Sequence, residues 1–171
     1  MAVLYQISIH FFILFLRIIS LFNQKVRIGI EGRKNWISEL EDIPKDTQVI
    51  WFHCASLGEF DQGLPVMHAL KNNTPNAFIL VTFFSPSGME HYDKRTHPVD
   101  KALYLPFDTK INALTFIRMA KPKLAVFVKY EFWPNFILEC RASNVKLISI
   151  STLLRKNQIY FKRYGSFFAR V

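Results

Sequence analysis

Two glutamates stand in segments built alike. Glu59 closes the run His53-Cys54-Ala55-Ser56-Leu57-Gly58-Glu59, and Glu131 lies within Lys129-Tyr130-Glu131-Phe132-Trp133-Pro134-Asn135. Each segment follows a short apolar run of strand character and leads into an amphipathic stretch, which puts each carboxylate at a strand-to-helix turn. In an open parallel α/β sheet, ligands bind beyond the carboxyl ends of the strands, and two carboxylates on that rim can act as acid and base. The competing reading gives each glutamate a simpler task, complementing the positive end of the helix that follows. Small residues and Gly58 ahead of Glu59 permit a tight turn, with Ser56 beside it as a hydroxyl. A third segment, Ser85-Pro86-Ser87-Gly88, offers hydroxyls and helix-end N–H groups that suit a phosphate or a sugar. An N-cap and turn would use the same residues.

Other chemistries fit less well. The Gly-rich patterns of dinucleotide and P-loop sites are absent. His53 and Cys54 look like a base and nucleophile, but neighbours on a strand point to opposite faces. His91 and His97 lack a metal-binding context, and Cys54 and Cys140 have no metal-ligand spacing and are too few for a disulfide framework. Phe132, Trp133 and Phe136 read as core packing rather than a base-stacking platform, because basic residues are not interleaved with them in a nucleic-acid motif.

The elements that must position these residues follow from Gln48 onward, where short apolar runs alternate with longer amphipathic stretches. Strands are expected at 49–53, 78–82, 102–105, 124–128 and 146–150, with near-continuous hydrophobicity arguing for a parallel sheet covered on both faces. Helices are expected at about 60–71, 88–95, 109–119 and 135–143. Pro134 suits a helical first turn, where its missing N–H is not needed.

The 171 residues suffice for one domain and an appendage, and half of them are hydrophobic, enough for a sizeable core. Lys and Arg number 22 against 13 Asp and Glu, a net charge of +9 that attracts polyanions without choosing among nucleic acid, anionic lipid and a phosphorylated substrate. Residues 3–22 form the most hydrophobic stretch, interrupted by Gln6, Ser8, His10 and Arg17 and followed by Lys25, Arg27, Arg33 and Lys34. An Arg near the middle disfavours a clean span, and the basic flank suits an anionic membrane face. Membrane association is the favoured expectation over a greasy helix docked on its own domain or on a missing one. The final stretch from Arg155 carries Tyr160, Tyr164, Phe167 and Phe168 among basic residues, as a basic amphipathic helix would.

Together these segments resemble the N-terminal half of the Kdo (3-deoxy-D-manno-octulosonic acid) transferases of lipopolysaccharide synthesis. Trp51-Phe52-His53-Cys54-Ala55-Ser56-Leu57-Gly58-Glu59 is similar to that family's W-x-H-A-A-S-x-G-E, with Cys54 in place of an alanine. Thr82 to Gly88 resembles T-x-x-T-P-T-G, Tyr104-Leu105-Pro106-Phe107-Asp108 resembles Y-L-P-Y-D, and Glu131-Phe132-Trp133-Pro134-Asn135 resembles E-x-W-P-N. The segment Ser149 to Arg155 matches N-A-R-L-S-x-R-S only loosely, with Arg155 at the basic position.

The resemblance implies an α/β fold, the Rossmann-like N-terminal domain of a GT-B glycosyltransferase, preceded by an apolar membrane-associated helix. Residues 1–35 would be the membrane segment, 36–154 the acceptor-binding domain, and 155–171 the linker towards a C-terminal domain. It implies an inverting transfer of Kdo from CMP-Kdo to a lipid A precursor at the cytoplasmic face of the cell inner membrane, with no metal or other cofactor. Glu59 matches the general base and Glu131 a second acidic residue, with Ser56, Gly58, Ser85, Ser87, Gly88 and Arg155 as substrate contacts. CMP-Kdo would be held mainly by the C-terminal domain, and such a chain alone would be inactive. The partners expected are the lipid acceptor and membrane lipids, not nucleic acid. A non-catalytic membrane-bound module for lipid A or a lipid phosphate is the alternative.

Overall fold

The structure is a computed structural model that describes residues 2–130, 132–153, 155 and 162. Seven α-helices are described: α1 (Ala2–Ser20), α2 (Gln24–Glu31), α3 (Trp36–Glu41), α4 (Leu57–Asn73), α5 (Pro86–Met89), α6 (Lys110–Ala120) and α7 (Pro134–Ala142). Five strands, β1 (Val49–Cys54), β2 (Phe78–Phe83), β3 (Lys101–Tyr104), β4 (Leu124–Val128) and β5 (Lys146–Ile150), make one parallel sheet in the order β3-β2-β1-β4-β5. The chain lays β2 and β3 on one side of β1, then crosses to lay β4 and β5 on the other. A crevice therefore opens between the carboxyl ends of β1 and β4, and these are the strands that lead to Glu59 and Glu131.

Why these residues form the sheet centre is visible in their burial. All six residues of β1 are buried, and alternate side chains feed two separate cores. Trp51 meets Phe116, Phe127 and Phe136 at ring distances of 4.8, 5.2 and 5.7 Å on the face covered by α3, α6 and α7. Phe52 and Cys54 join Phe60, Met67 and Phe83 on the face covered by α4. Each large aromatic buried there stabilises the fold by about 1.5–3 kcal/mol relative to an exposed one. The helices are bounded by local chemistry. Thr109 accepts from the Asn112 N–H at 3.2 Å to start α6, and Lys121, at a φ of 42°, ends it by returning its N–H to Ile117.

The strands fall within a residue or so of the sequence expectation, while three features differ from it. The helix expected at 88–95 is instead the short α5 and a separate 3-10 turn at Tyr92–Lys94. The break lets Tyr92 fold back onto Phe60 and Phe83, at 6.0 and 5.7 Å. β5 is not covered on both faces: it is an edge strand with Lys146, Ile148 and Ser149 exposed. Helices α2 and α3 occupy a stretch that reads in sequence only as a basic flank.

One side of α1 lies against the sheet rim. Tyr5 donates to Asp108 Oδ2 at 2.5 Å, Gln6 Nε2 donates to Asn135 Oδ1 at 2.6 Å, Ile9 is buried, and Phe12 stacks on Phe84 at 6.4 Å. The other side exposes Leu4, Phe11, Phe15 and Ile18, spaced to share one helical face. By length and composition Val3–Ser20 is apolar enough to cross a membrane. Arg33 corrects an expectation. It does not face outward with Lys25, Arg27 and Lys34 but is buried, 8% exposed, between α2 and the ends of β2 and β3. Three backbone carbonyls and three aromatic faces replace the water it leaves.

Candidate functional site

The turn after β1 is extended at Ser56, and α4 begins at Leu57, so Glu59 falls in the first helical turn. Ser56 does not cap the helix with its side chain. Its hydroxyl donates instead to Glu59 Oε2. The other oxygen, Oε1, accepts from Lys129 Nζ at 2.9 Å. Burial pushes the Glu59 carboxyl up, but the hydrogen bonds from Ser56 and Lys129, the Lys129 charge and its own backbone N–H together hold it below the usual carboxylate range. The side chain keeps 15% of its surface open, so an ionised, partly accessible carboxylate stands at the crevice.

Lys129 was quoted in sequence only as the first residue of the Glu131 segment, and its pairing with Glu59 is the part of the candidate site that sequence reasoning missed. It adopts a φ of 63°, a left-handed backbone that costs a non-glycine residue roughly 1–2 kcal/mol. Its neighbours hold it there. The Lys129 N–H donates to the Ile150 carbonyl at 2.9 Å, and its carbonyl accepts from Ser149 Oγ at 3.1 Å and Thr152 Oγ1 at 2.8 Å. The end of β5 thereby aims the ammonium across the crevice.

Gly58 does not provide the tight turn expected of it, because its φ is not positive and α4 runs through it. A Cβ there would meet only Ser56 Oγ, at 3.8 Å, so what Gly58 supplies is open space beside the Ser56 and Glu59 pair. Gly88 is constrained differently: a Cβ would sit 2.1 Å from the Phe83 ring.

The Ser85 segment forms the neighbouring wall. The N–H groups of Phe84 and Ser85 both donate to the Ala55 carbonyl, at 3.2 and 2.7 Å, fastening the turn after β2 to the turn that carries Glu59. Ser85 Oγ accepts from the Ser87 N–H at 3.3 Å and lies 3.1 Å from Ser87 Oγ. Pro86 has no N–H, so the N-cap geometry is present and most local donors are already engaged.

The turn after β4 is held from two directions. Trp133 Nε1 donates to His53 Nε2 at 3.0 Å and its ring stacks on Phe84 at 5.1 Å. His53 Nδ1 lies 2.9 Å from Thr82 Oγ1, which also accepts from Trp51 Nε1 at 2.8 Å. Asp108 then caps α7, its two oxygens accepting from the N–H groups of Asn135 and Phe136, each at 3.1 Å, while Asn135 Nδ2 donates to the Asp108 carbonyl at 2.5 Å. Burial raises the Asp108 carboxyl above its ordinary value, and the hydrogen bonds from Tyr5, Asn135 and Phe136 offset part of the rise. Asp108, from the Y-L-P-F-D motif, and Asn135, from the E-F-W-P-N motif, thus form one joint. Glu131 lies outside the described residues. Arg155 is exposed beyond β5. Among the described residues no group of three or more His, Cys, Asp or Glu is placed to hold a metal ion.

The arrangement combines a carboxylate held ionised, a fixed cation beside it and hydroxyls on an adjoining turn, all at the sheet's switch point. Residues 29–171 match the family model described as 3-deoxy-D-manno-octulosonic-acid transferase (Kdo transferase). The chain belongs to this family. Among relatives, the 3-deoxy-D-manno-octulosonic acid transferase of Aquifex aeolicus is 36% identical over 89 residues, which are 52% of this chain and 24% of that protein. The enzyme of the same name from Haemophilus influenzae is 30% identical over 69% of this chain and 27% of its own length. That of Rickettsia bellii is 27% identical over 94% of this chain and 38% of its own length. This Kdo transferase family chain therefore spans well under half the length of these relatives.

Proposed function

We propose that the chain is the acceptor-binding half of an inverting GT-B glycosyltransferase that moves Kdo from CMP-Kdo to a lipid A precursor, with Glu59 as general base. The observation that carries this reading is the Glu59 carboxylate, kept ionised by Ser56 and Lys129 at the crevice between β1 and β4. A sugar hydroxyl is too weak an acid to ionise near neutral pH, so its attack needs a carboxylate within about 2.6–3.2 Å to take the proton. The acceptor O–H bond breaks and its proton passes to Glu59. The acceptor oxygen bonds to the anomeric carbon of Kdo, and CMP departs with the electron pair of the broken bond, inverting that carbon. Glu131 would position substrate and shape the charge around the base. Ser56, Ser85, Ser87 and Arg155 would contact the acceptor, with Gly58 and Gly88 shaping the rim. The nucleotide would be held chiefly by a C-terminal domain. The exposed face of α1 and the basic residues after it would seat the domain on the cytoplasmic face of the inner membrane.

Glu59→Gln in the complete transferase polypeptide, assayed for Kdo transfer from CMP-Kdo, tests the base. Loss of turnover with acceptor binding retained is expected. The second reading, a non-catalytic module for lipid A or a lipid phosphate, draws on the ion pair itself, because a carboxylate tied to Lys129 serves structure as well. Unchanged turnover at saturating substrate would favour a structural Glu59.

A further inference from the structure

Among the described residues, no carboxylate pairs with the buried Arg33 guanidinium. Its Nε donates to the Leu105 carbonyl at 2.9 Å, Nη1 to Gly29 at 2.5 Å and Nη2 to Phe84 at 2.5 Å. The rings of Phe84, Tyr104 and Phe107 lie 4.6, 5.1 and 5.0 Å from its central carbon. A guanidinium has five N–H donors, so three carbonyls do not exhaust it. Carbonyl dipoles and π faces ease the burial of a cation, yet they bring no net negative charge. Burial lowers the group only to about 10, which leaves it charged at neutral pH.

This cation borders an open cleft of about 270 Å³ between the α1–α2 elbow and the Ser85 turn. Leu16, Val26 and Ile30 give the cleft apolar walls, and Lys25 and Ser85 line it as well as Arg33. The Ser85 wall is hydrogen-bonded to Ala55, whose next neighbour Ser56 holds Glu59.

We propose that the cleft between α1, α2 and the Ser85 turn binds a phosphate monoester of the lipid acceptor, facing Arg33 and Lys25, with the apolar walls taking up adjoining lipid. This rests on the reading of the domain as the lipid-acceptor half. A monoester carries close to two negative charges near neutrality and a diester one, so a cleft lined by both Arg33 and Lys25 favours the monoester through charge-assisted hydrogen bonds.

Vesicle co-sedimentation of the 171-residue chain tests this without any donor or turnover. Phosphatidylcholine vesicles doped with phosphatidic acid, a monoester, are compared with vesicles doped with phosphatidylglycerol, a diester, to equal surface charge. The chain is expected to prefer phosphatidic acid by about tenfold, the worth of one charge-assisted hydrogen bond. Lys25→Glu and Ile30→Trp, which respectively repel the phosphate and fill the cleft, should abolish the preference. Arg27→Glu, on the same helix but away from the cleft, should weaken binding to both vesicles and keep the preference. Inorganic phosphate that erases the preference shows that the phosphoryl group alone is read; a preference that survives it assigns recognition to lipid-borne phosphate. Equal binding of the unaltered chain to both vesicles, or a preference surviving both Lys25→Glu and Ile30→Trp, overturns the proposal. Absence of Kdo transfer by the complete transferase polypeptide, with the preference of the 171-residue chain intact, would count against the transferase reading instead.

Discussion

Lys129 Nζ donates to Glu59 Oε1 across 2.9 Å, so the turn after β4 and the first turn of α4 share one charge pair over the crevice. The pair joins residues 70 positions apart and places a cation on one oxygen of the proposed base while Ser56 occupies the other.

Glu59→Gln retains size and one acceptor oxygen for Lys129, with the Ser56 hydroxyl turned to accept from the amide N–H₂, but removes basicity. Transfer by the complete enzyme should fall by roughly 10²–10⁴-fold, the range for a general base, with acceptor affinity preserved. Rate measurements at saturating substrates, paired with acceptor binding, separate these effects.

Lys129→Met removes a hydrogen bond and a charge that lower the Glu59 carboxyl, leaving only Ser56 and the backbone N–H to oppose the rise from burial. The acid limb of the transfer rate should move to higher pH. A carboxylate with a depressed folded pKa stabilises the protein above its unfolded pKa, and that stabilisation is lost as pH falls through the folded value. Acid titration of thermal stability should accordingly show a weaker pH dependence in the variant through that window.

Gly88→Ala should destabilise the fold by about 1–3 kcal/mol, the usual cost of overpacking, because the new methyl would press on the fully buried Phe83 ring. Denaturant unfolding measures it. A neutral result would show that the Ser85 turn is free to move away from β2.

Asp108→Asn supplies one acceptor oxygen where the carboxylate uses two, and turns an amide N–H₂ towards existing donors. A loss of about 1–3 kcal/mol is expected for the buried group left unsatisfied, together with faster proteolysis within α1. Thermal melts and limited proteolysis report the two effects separately.

Deletion of residues 1–22 should release the domain from membranes, and raised salt should weaken binding of the intact chain, since Lys25, Arg27 and Lys34 act through screened charge. Cell fractionation with and without the deletion decides it.

The strands were legible because each is a short apolar run of β-branched and aromatic residues between Gly, Pro and polar breaks, and Glu59 and the Ser85 segment could be placed from them. Arg33 was not legible. Sequence records its charge, while its burial depends on three carbonyls and three rings brought together from distant turns. Lys129 escaped for a related reason: nothing local marks a residue whose backbone is set by Ser149, Ile150 and Thr152 and whose partner lies on another strand's turn. The motif ending in Asp108 was visible, but its task as the cap of α7 needed the fold. The helix drawn through 88–95 failed because periodicity alone does not show that Tyr92 must return to Phe60 and Phe83.

The Asp108 carboxylate receives Tyr5 from α1 and two N–H groups from the start of α7. That shared fastening gives the molecule a built-in height gauge. On the proposed reading, in which the apolar face of α1 beds into a lipid layer, the depth of α1 would set the elevation of the rim above that layer. Selection among acceptors would then become partly a matter of altitude: a sugar hydroxyl carried too close to its acyl chains, or too far from them, would pass beneath or above Glu59 even when its chemistry is right.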